Sequence, residues 1–163
     1  MKNNFFKLPV GNINSKPSSN SEITSQILYG EKFKILTKKK GWIKIKTNFD
    51  NYVGYIKQDK YNQNFKPRYK IYKLKSRIFK KINNKFLPTN SFLFFASGIS
   101  IKRHNKVYIE FEKNKWIKKN HLKKINHYEK DFIKIFKLFL GSKYLWGGKT
   151  SEGIDCSAPV SYT

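Results

Sequence analysis

Between residues 23 and 57, apolar side chains come in short runs that alternate with lysine and stop at turn residues. Ile27 and Leu28 precede Tyr29-Gly30-Glu31, and Phe33 and Ile35 alternate with lysines into a turn at 38–41. Trp42, Ile43 and Ile45 follow, then a polar loop at 48–51, then Tyr52-Val53-Gly54-Tyr55-Ile56. A two-residue period with tight turns buries one face only, so the short strands must curl around their own core. This is the pattern of a small β-barrel. Residues 12–20, rich in Asn, Ser and Pro, read as a loop leading into it.

A second segment repeats the pattern less regularly. Tyr72, Leu74, Ile78 and Phe79 precede an Asn83-Asn84 turn; Phe92, Leu93, Phe94, Phe95, Ile99 and Ile101 follow, then Val107 to Phe111. In both segments a turn leads into Trp-Ile, at Trp42-Ile43 and again at Trp116-Ile117. Residues 62–67 read as the link. The expectation is two tandem barrels, 1–61 and 62–126, each of about 60 residues and near the lower limit for a self-sufficient core. The second is therefore expected to lean on a neighbour.

From residue 127 the period becomes helical. Phe132, Ile133, Ile135, Phe136, Phe139 and Leu140 fall on one side, with Lys130, Lys134 and Lys137 on the other. The spacing predicts one amphipathic helix over 132–140, with Asn126 and Glu129 as a capping pair and Gly141 as its stop.

Charge narrows the function classes less than its size suggests. The chain carries 35 Lys+Arg against 10 Asp+Glu, a net +25, which attracts polyanions in general. Only Arg68, Arg77 and Arg103 are arginines, the residue type that reads guanine and phosphate bidentately. The lysines are scattered among Asn, Ile and Phe, as solvated positions of a biased composition would be. No nucleic-acid reader motif is present, so no specific nucleic-acid partner is expected. No apolar run approaches the roughly 20 residues that cross a bilayer, so no membrane partner is expected either. The start MKNNFFKLPVGN lacks the apolar segment of a signal peptide, which implies a cytoplasmic location. One cysteine excludes an internal disulfide, no Cys/His group has zinc-ligand spacing, and no cofactor is expected.

The segment YLWGGKTSEGIDCS, residues 144–157, carries the chemistry. Gly141, Gly147, Gly148 and Gly153 permit backbone shapes that other residues resist, and Cys156 follows Asp155 where a helix could start. A helix start favours thiolate, the nucleophilic form. A lone cysteine can equally be a small buried apolar residue, and the spacing leaves both readings open.

The same segment resembles the nucleophile region of the NlpC-type, papain-like cell-wall cysteine peptidases. Tyr144, Trp146-Gly147-Gly148, Gly153 and Asp155-Cys156-Ser157 follow that family's order and spacing. The runs SEITSQILYGEKFKIL, GWIKI and NYVGYI resemble the first of two bacterial SH3-like domains that precede the peptidase in one subfamily, and KNKWIKKNHL resembles the end of the second. The resemblance implies a mainly β chain: two tandem SH3-like barrels, then the first helix and nucleophile segment of an incomplete papain-like α+β domain at 127–163. It implies hydrolysis of the γ-D-glutamyl to diamino-acid bond in murein peptides with a free N-terminal L-Ala, by a monomer during wall recycling. Cys156 would be the nucleophile and Tyr144 would help to stabilise the oxyanion. Asp155 and Ser157 would hold the substrate amine, with Glu22 and Tyr52 completing the pocket.

The chain also departs from that pattern. A cysteine nucleophile needs a base, and the family's histidine lies well downstream of it. Here His104, His121 and His127 all precede Cys156, and only seven residues follow. Pro159 is expected to oppose a helix there, and the tail VSYT shows no helical pattern. The expectation is a catalytic domain cut short and inactive by itself, whether by a damaged frame, incomplete sequence or a chosen boundary. The alternatives are a non-catalytic module that binds murein peptides and a basic nucleic-acid-binding protein.

Overall fold

The computed structural model describes residues 3–58 and 61–162; Met1 and Lys2 of the amino-terminal stretch, Asp59, Lys60, and Thr163 of the tail lie outside the described residues. The chain is mainly β. Its first sheet comprises β1 (Asn4–Phe6), β2 (Val10–Asn14), β3 (Ile23–Leu28), β4 (Lys32–Lys39), β5 (Trp42–Thr47), β6 (Val53–Lys57) and β7 (Tyr61–Asn62). These run in the order β3-β2-β6-β5-β4-β1-β7, with every pairing antiparallel. The alternating residues do what their period demands: Ile27, Phe33, Ile43, Ile45 and Ile56 turn inward onto Phe6 and Ile13. Lys40 and Gly41, both with positive φ, make the two-residue turn between the paired Lys39 and Trp42. The loop expected over 12–20 begins later than expected. Asn12, Ile13 and Asn14 belong to β2, and Ile13 is fully buried; one isoleucine between asparagines is too short a signal to read as a strand.

The second β unit contains β8 (Tyr69–Ile71), β9 (Lys75–Ile82), β10 (Lys85–Phe94), β11 (Gly98–Ile99), β12 (Arg103–His104), β13 (Tyr108–Glu112), β14 (Lys115–Lys118) and β15 (Leu122–Lys124). One sheet has the order β10-β9-β14-β13-β12, and β11-β8-β15 form another. Asn83 and Asn84, both with positive φ, turn β9 into β10 as the Asn-Asn pair predicts.

The two units share a core. Tyr29, at the end of β3, is buried among Ile71, Ile78, Leu93, Ile99, Ile109, Phe111 and Ile117 of the second unit. Its hydroxyl donates to Glu112 Oε1 at 2.8 Å, and burial together with that carboxylate pushes the phenol well above its usual range. The adjacent Gly30 has φ +75°, and a Cβ there would fall 1.9 Å from the Gly98 carbonyl oxygen. The Gly98 N–H in turn donates to the Tyr29 carbonyl at 2.8 Å.

The final stretch holds α1 (Phe132–Leu138), β16 (Lys149–Thr150), β17 (Gly153–Ile154) and α2 (Ser157–Ser161). The N-cap of α1 is Asp131, whose side chain accepts from the Ile133 N–H, and not Asn126. Glu129 instead accepts from the Tyr72 hydroxyl at 2.8 Å, which ties the helix entry to the second unit. Ile135 and Phe139 pack with Phe95, Ile154 and Ala158 into a third small core. Gly141, with φ +80°, follows the end of the helix. No helix among the described residues is long and apolar enough to cross a membrane.

Tyr29 makes a single test of this shared core possible. Tyr29→Ala is expected to cost about 3–5 kcal/mol, the range for truncating a large buried ring. Tyr29→Phe, which removes one hydrogen bond, is expected to cost about 1 kcal/mol. Urea unfolding checks both, and a loss below about 1 kcal/mol for the alanine variant would show that the units do not depend on each other.

Candidate functional site

Cys156 is exposed and is the N-cap residue of α2. Asp155 before it acts as the capping side chain. Its Oδ1 accepts from the Ser157 N–H at 2.9 Å, the Ala158 N–H at 2.9 Å and the Ser157 hydroxyl at 2.8 Å. All three bonds use one oxygen. Among the described residues Oδ2 receives no hydrogen bond. Pro159, expected to oppose a helix, sits buried within α2 instead. As its third residue it lies in the first turn, where no N–H is required.

The other residues singled out in the sequence fall at different distances from this point. Tyr144 is exposed and bridges in parallel to Ile154, next to Asp155. Tyr52 is half-buried against the first core, with Lys149 Nζ 6.0 Å from its ring centre. Glu22 is exposed just before β3, in a polar concavity with Ser15, Lys16, Ser18, Asn20 and Ser21. Among the described residues its side chain makes no hydrogen bond or ion pair to residues 144–157.

The segment is held on the first sheet by contacts that spacing did not reveal. Gly147, with φ +69°, lies so close to β3 that a Cβ would come within 2.9 Å of the Ser25 nitrogen. One residue on from Gly148, the Lys149 N–H donates to Gln26 Oε1 at 2.9 Å. The Lys149 side chain is buried and donates to Asp50 Oδ2, with Glu31 Oε1 3.6 Å away. The Tyr162 hydroxyl closes the arrangement by donating to the Lys149 carbonyl at 2.8 Å. In a chain of 32 lysines, nothing in the sequence marks Lys149 as the one buried among the described residues.

The two carboxylates respond oppositely. Burial pushes Asp50 up, but the Lys149 ammonium and the Thr47 hydroxyl outweigh that and hold it below the usual range. Burial dominates at Glu31, which is raised despite Lys149 and the Leu28 N–H on its other oxygen. Asp50 therefore supports the fold above the ordinary carboxylate range, and that support is lost as the pH falls through its depressed value. Glu31 has the opposite sign, since its ionisation costs stability as the pH rises toward its elevated value.

No histidine is brought to Cys156 by a hydrogen bond or ring contact among the described residues. His121 Nδ1 lies 3.0 Å from Ser76 Oγ, and burial with the nearby Lys118 and Lys73 lowers its pKa. His127 packs edge-on against Tyr72, ring centres 5.1 Å apart, and His104 is exposed on β12.

The first sheet is an SH3-like domain: residues 13–60 match the family model described as the bacterial dipeptidyl-peptidase Sh3 domain. The fold as a whole is similar to that of an NlpC/P60 family protein from Bacillus cereus ATCC 10987. The TM-score is 0.75 at 17% identity, covering 96% of this chain and 70% of that one. Weaker likenesses are to NlpC2 and NlpC1 from Trichomonas vaginalis, with TM-scores of 0.37 and 0.36 at 13% identity. Those cover 99% of this chain and 66% and 62% of theirs. Among curated proteins, none matches the sequence.

Replacing the buried ammonium tests how the segment is anchored. Lys149→Met leaves two buried carboxylates unpaired and is expected to cost about 3–5 kcal/mol at neutral pH. Adding Glu31→Gln and Asp50→Asn to it is expected to recover most of that loss. The penalty of Lys149→Met is expected to shrink at acid pH, where both carboxyls are protonated. Denaturant unfolding at neutral and acid pH reads all of this, and a pH-independent penalty would contradict the ion-pair account.

Proposed function

We propose that this chain is the substrate-binding and nucleophile-bearing part of a papain-like cysteine peptidase acting on murein peptides. The bond would be the γ-D-glutamyl to diamino-acid amide of peptides that begin with free L-Ala. In that peptidase the Cys156 thiolate would attack the amide carbon and break its C–N bond, the diamino acid leaving as a protonated amine. Water then hydrolyses the thioester to the γ-D-glutamyl carboxylate and the free thiol, and the Tyr144 hydroxyl assists the developing oxyanion. Asp155 and Ser157 receive the substrate amine, with Glu22 and Tyr52 at the edge of the first SH3-like domain. The second β unit is read as a further SH3-like domain, in a cytoplasmic monomer.

One observation carries this reading. Asp155 uses a single carboxylate oxygen to cap α2 and leaves the other without a hydrogen bond among the described residues, one residue from an exposed thiol. A buried or fully engaged carboxylate at that position could not take an ammonium group. The fold likeness supports the reading, as does the docking of residues 147–149 on β3, on Glu31 in the turn after it and on the loop of Asp50. The positions of the three histidines favour a second function for the 163-residue chain by itself, which is peptide binding without turnover.

Calorimetric titration with L-Ala-γ-D-Glu-diaminopimelate separates these statements. Binding is expected, with N-acetylation of the alanine abolishing it. Asp155→Asn preserves the cap, since Asn caps as well as Asp, but is expected to weaken binding at least tenfold by removing the charge. Equal affinity for the acetylated peptide would remove the amine pocket. Thiol-dependent release of diaminopimelate by the 163-residue chain would remove the claim that it does not turn over.

A further inference from the structure

The net charge is not spread evenly over the fold. Residues 62–126 hold 18 Lys+Arg against two acidic residues, a balance of +16 within the chain's +25. All three arginines lie there. Both acids are already engaged, Glu110 by Arg103 and Glu112 by Lys115 and the Tyr29 hydroxyl. The sequence presents these lysines as scattered; the sheet gathers part of them on one face.

Strand register defines that face. In β9–β10, Arg77 pairs with Phe92, Phe79 with Pro88 and Lys81 with Phe86. Trp116 of β14 pairs with Phe79 and with Glu110 of β13, and Glu110 pairs with Arg103 of β12. Directly paired residues share a face, so these side chains stand together, opposite the core residues Ile78, Ile109 and Ile117. The face is an aromatic floor beneath a layer of cations. Arg77 lies over Phe92 at 4.8 Å, Lys81 over Phe86 at 5.9 Å and Arg103 over Trp116 at 5.8 Å. Beside them an open concavity of about 460 Å³ is lined by Lys81, Arg103, His104 and Lys113. Arg77 and Lys81 pair with no carboxylate among the described residues.

We propose that this face of the second β unit binds a linear phosphodiester polyanion that carries no bases, a polyol phosphate. The cations are many, extended along one sheet and mostly lysine, which suits repeated phosphate charges more than one bidentate site. The rings offer nothing to a nucleobase. Trp116 is buried, Phe86 stacks on Tyr108 at 4.2 Å between ring centres, Phe79 meets Tyr108 edge-on, and Phe92 is covered by Lys75 and Arg77. Single-strand nucleic-acid binders instead expose rings as stacking platforms. Neither the peptide site nor its nucleophile takes part.

Fluorescence titration of the full chain with polyglycerol phosphate, and with oligothymidylate of equal charge, tests the proposal. Binding to polyglycerol phosphate is expected at about 0.1 M salt, weakening steeply as salt rises because condensed counterions are released. Arg77→Gln, Lys81→Gln and Lys118→Gln, the last paired with Tyr108 on the same face, together are expected to reduce affinity at least tenfold. Lys38→Gln, Lys39→Gln and Lys40→Gln remove the same charge from the first sheet and are expected to change it less than threefold. Unfolding midpoints of both triple variants establish that each is folded. Equal losses from the two would reduce the effect to net charge and overturn the proposal. So would oligothymidylate binding tenfold tighter than polyglycerol phosphate, or no binding of polyglycerol phosphate at all.

Discussion

A single buried ammonium joins the part of the chain that bears the thiol to the part that forms the first sheet. Lys149 belongs to the short β16–β17 hairpin, and its charge is answered by Asp50 and Glu31 from two different places in the first sheet. Desolvating three charged groups is expensive, and the arrangement persists only because each has partners. The geometry follows from that need. With Lys149 fixed and Gly147 against β3, the polypeptide from Tyr144 to Cys156 has little freedom in where it runs. The position of the exposed thiol is thus set jointly by that ion pair and by the burial of Ile154 and Ala158, on either side of it, in the third core.

The same economy appears between the units. Each sheet is small for an independent core, and each lends or borrows a large aromatic residue. Tyr29 leaves the first sheet for the second core, and Phe95 of the second unit serves the core beneath α1 and α2. Tyr162 stacks on Phe139, meets Phe95 edge-on and bonds the Lys149 carbonyl, so the last described residue touches every layer of the third core. A substitution in any of these rings is therefore expected to be felt in two units.

What could be read from the sequence was local. The two-residue period of β4–β6 and the Asn83-Asn84 turn depend on neighbours within a few positions, and both are present in the structure. The helix expected over 132–140 forms as Phe132–Leu138, but of its apolar side only Ile135 and the following Phe139 are buried, while Phe132, Ile133, Phe136 and Leu140 stay exposed. Pro159, expected to oppose a helix, sits in the first turn of α2, where a proline breaks no bond although it ends a longer helix. Tyr29 reads as an ordinary strand-end aromatic, and its burial in another unit depends on a contact 83 residues away with Glu112. Lys149 was hidden by abundance. Its partners Asp50 and Glu31 are 99 and 118 positions distant, and no periodicity reports such a separation.

Charge and chemistry are divided between different parts of this fold. Residues 127–163, which hold the thiol, carry five lysines against four acids, while residues 62–126 carry the excess of sixteen. Part of that excess stands on the outer face of the second unit's sheet, opposite its core, with the acids of that sheet already paired. On the proposed reading, the thiol segment selects its ligand by a few directed bonds, such as one to the second carboxylate oxygen of Asp155. The lysine excess and the thiol segment are therefore best understood as two separate surfaces that share one scaffold.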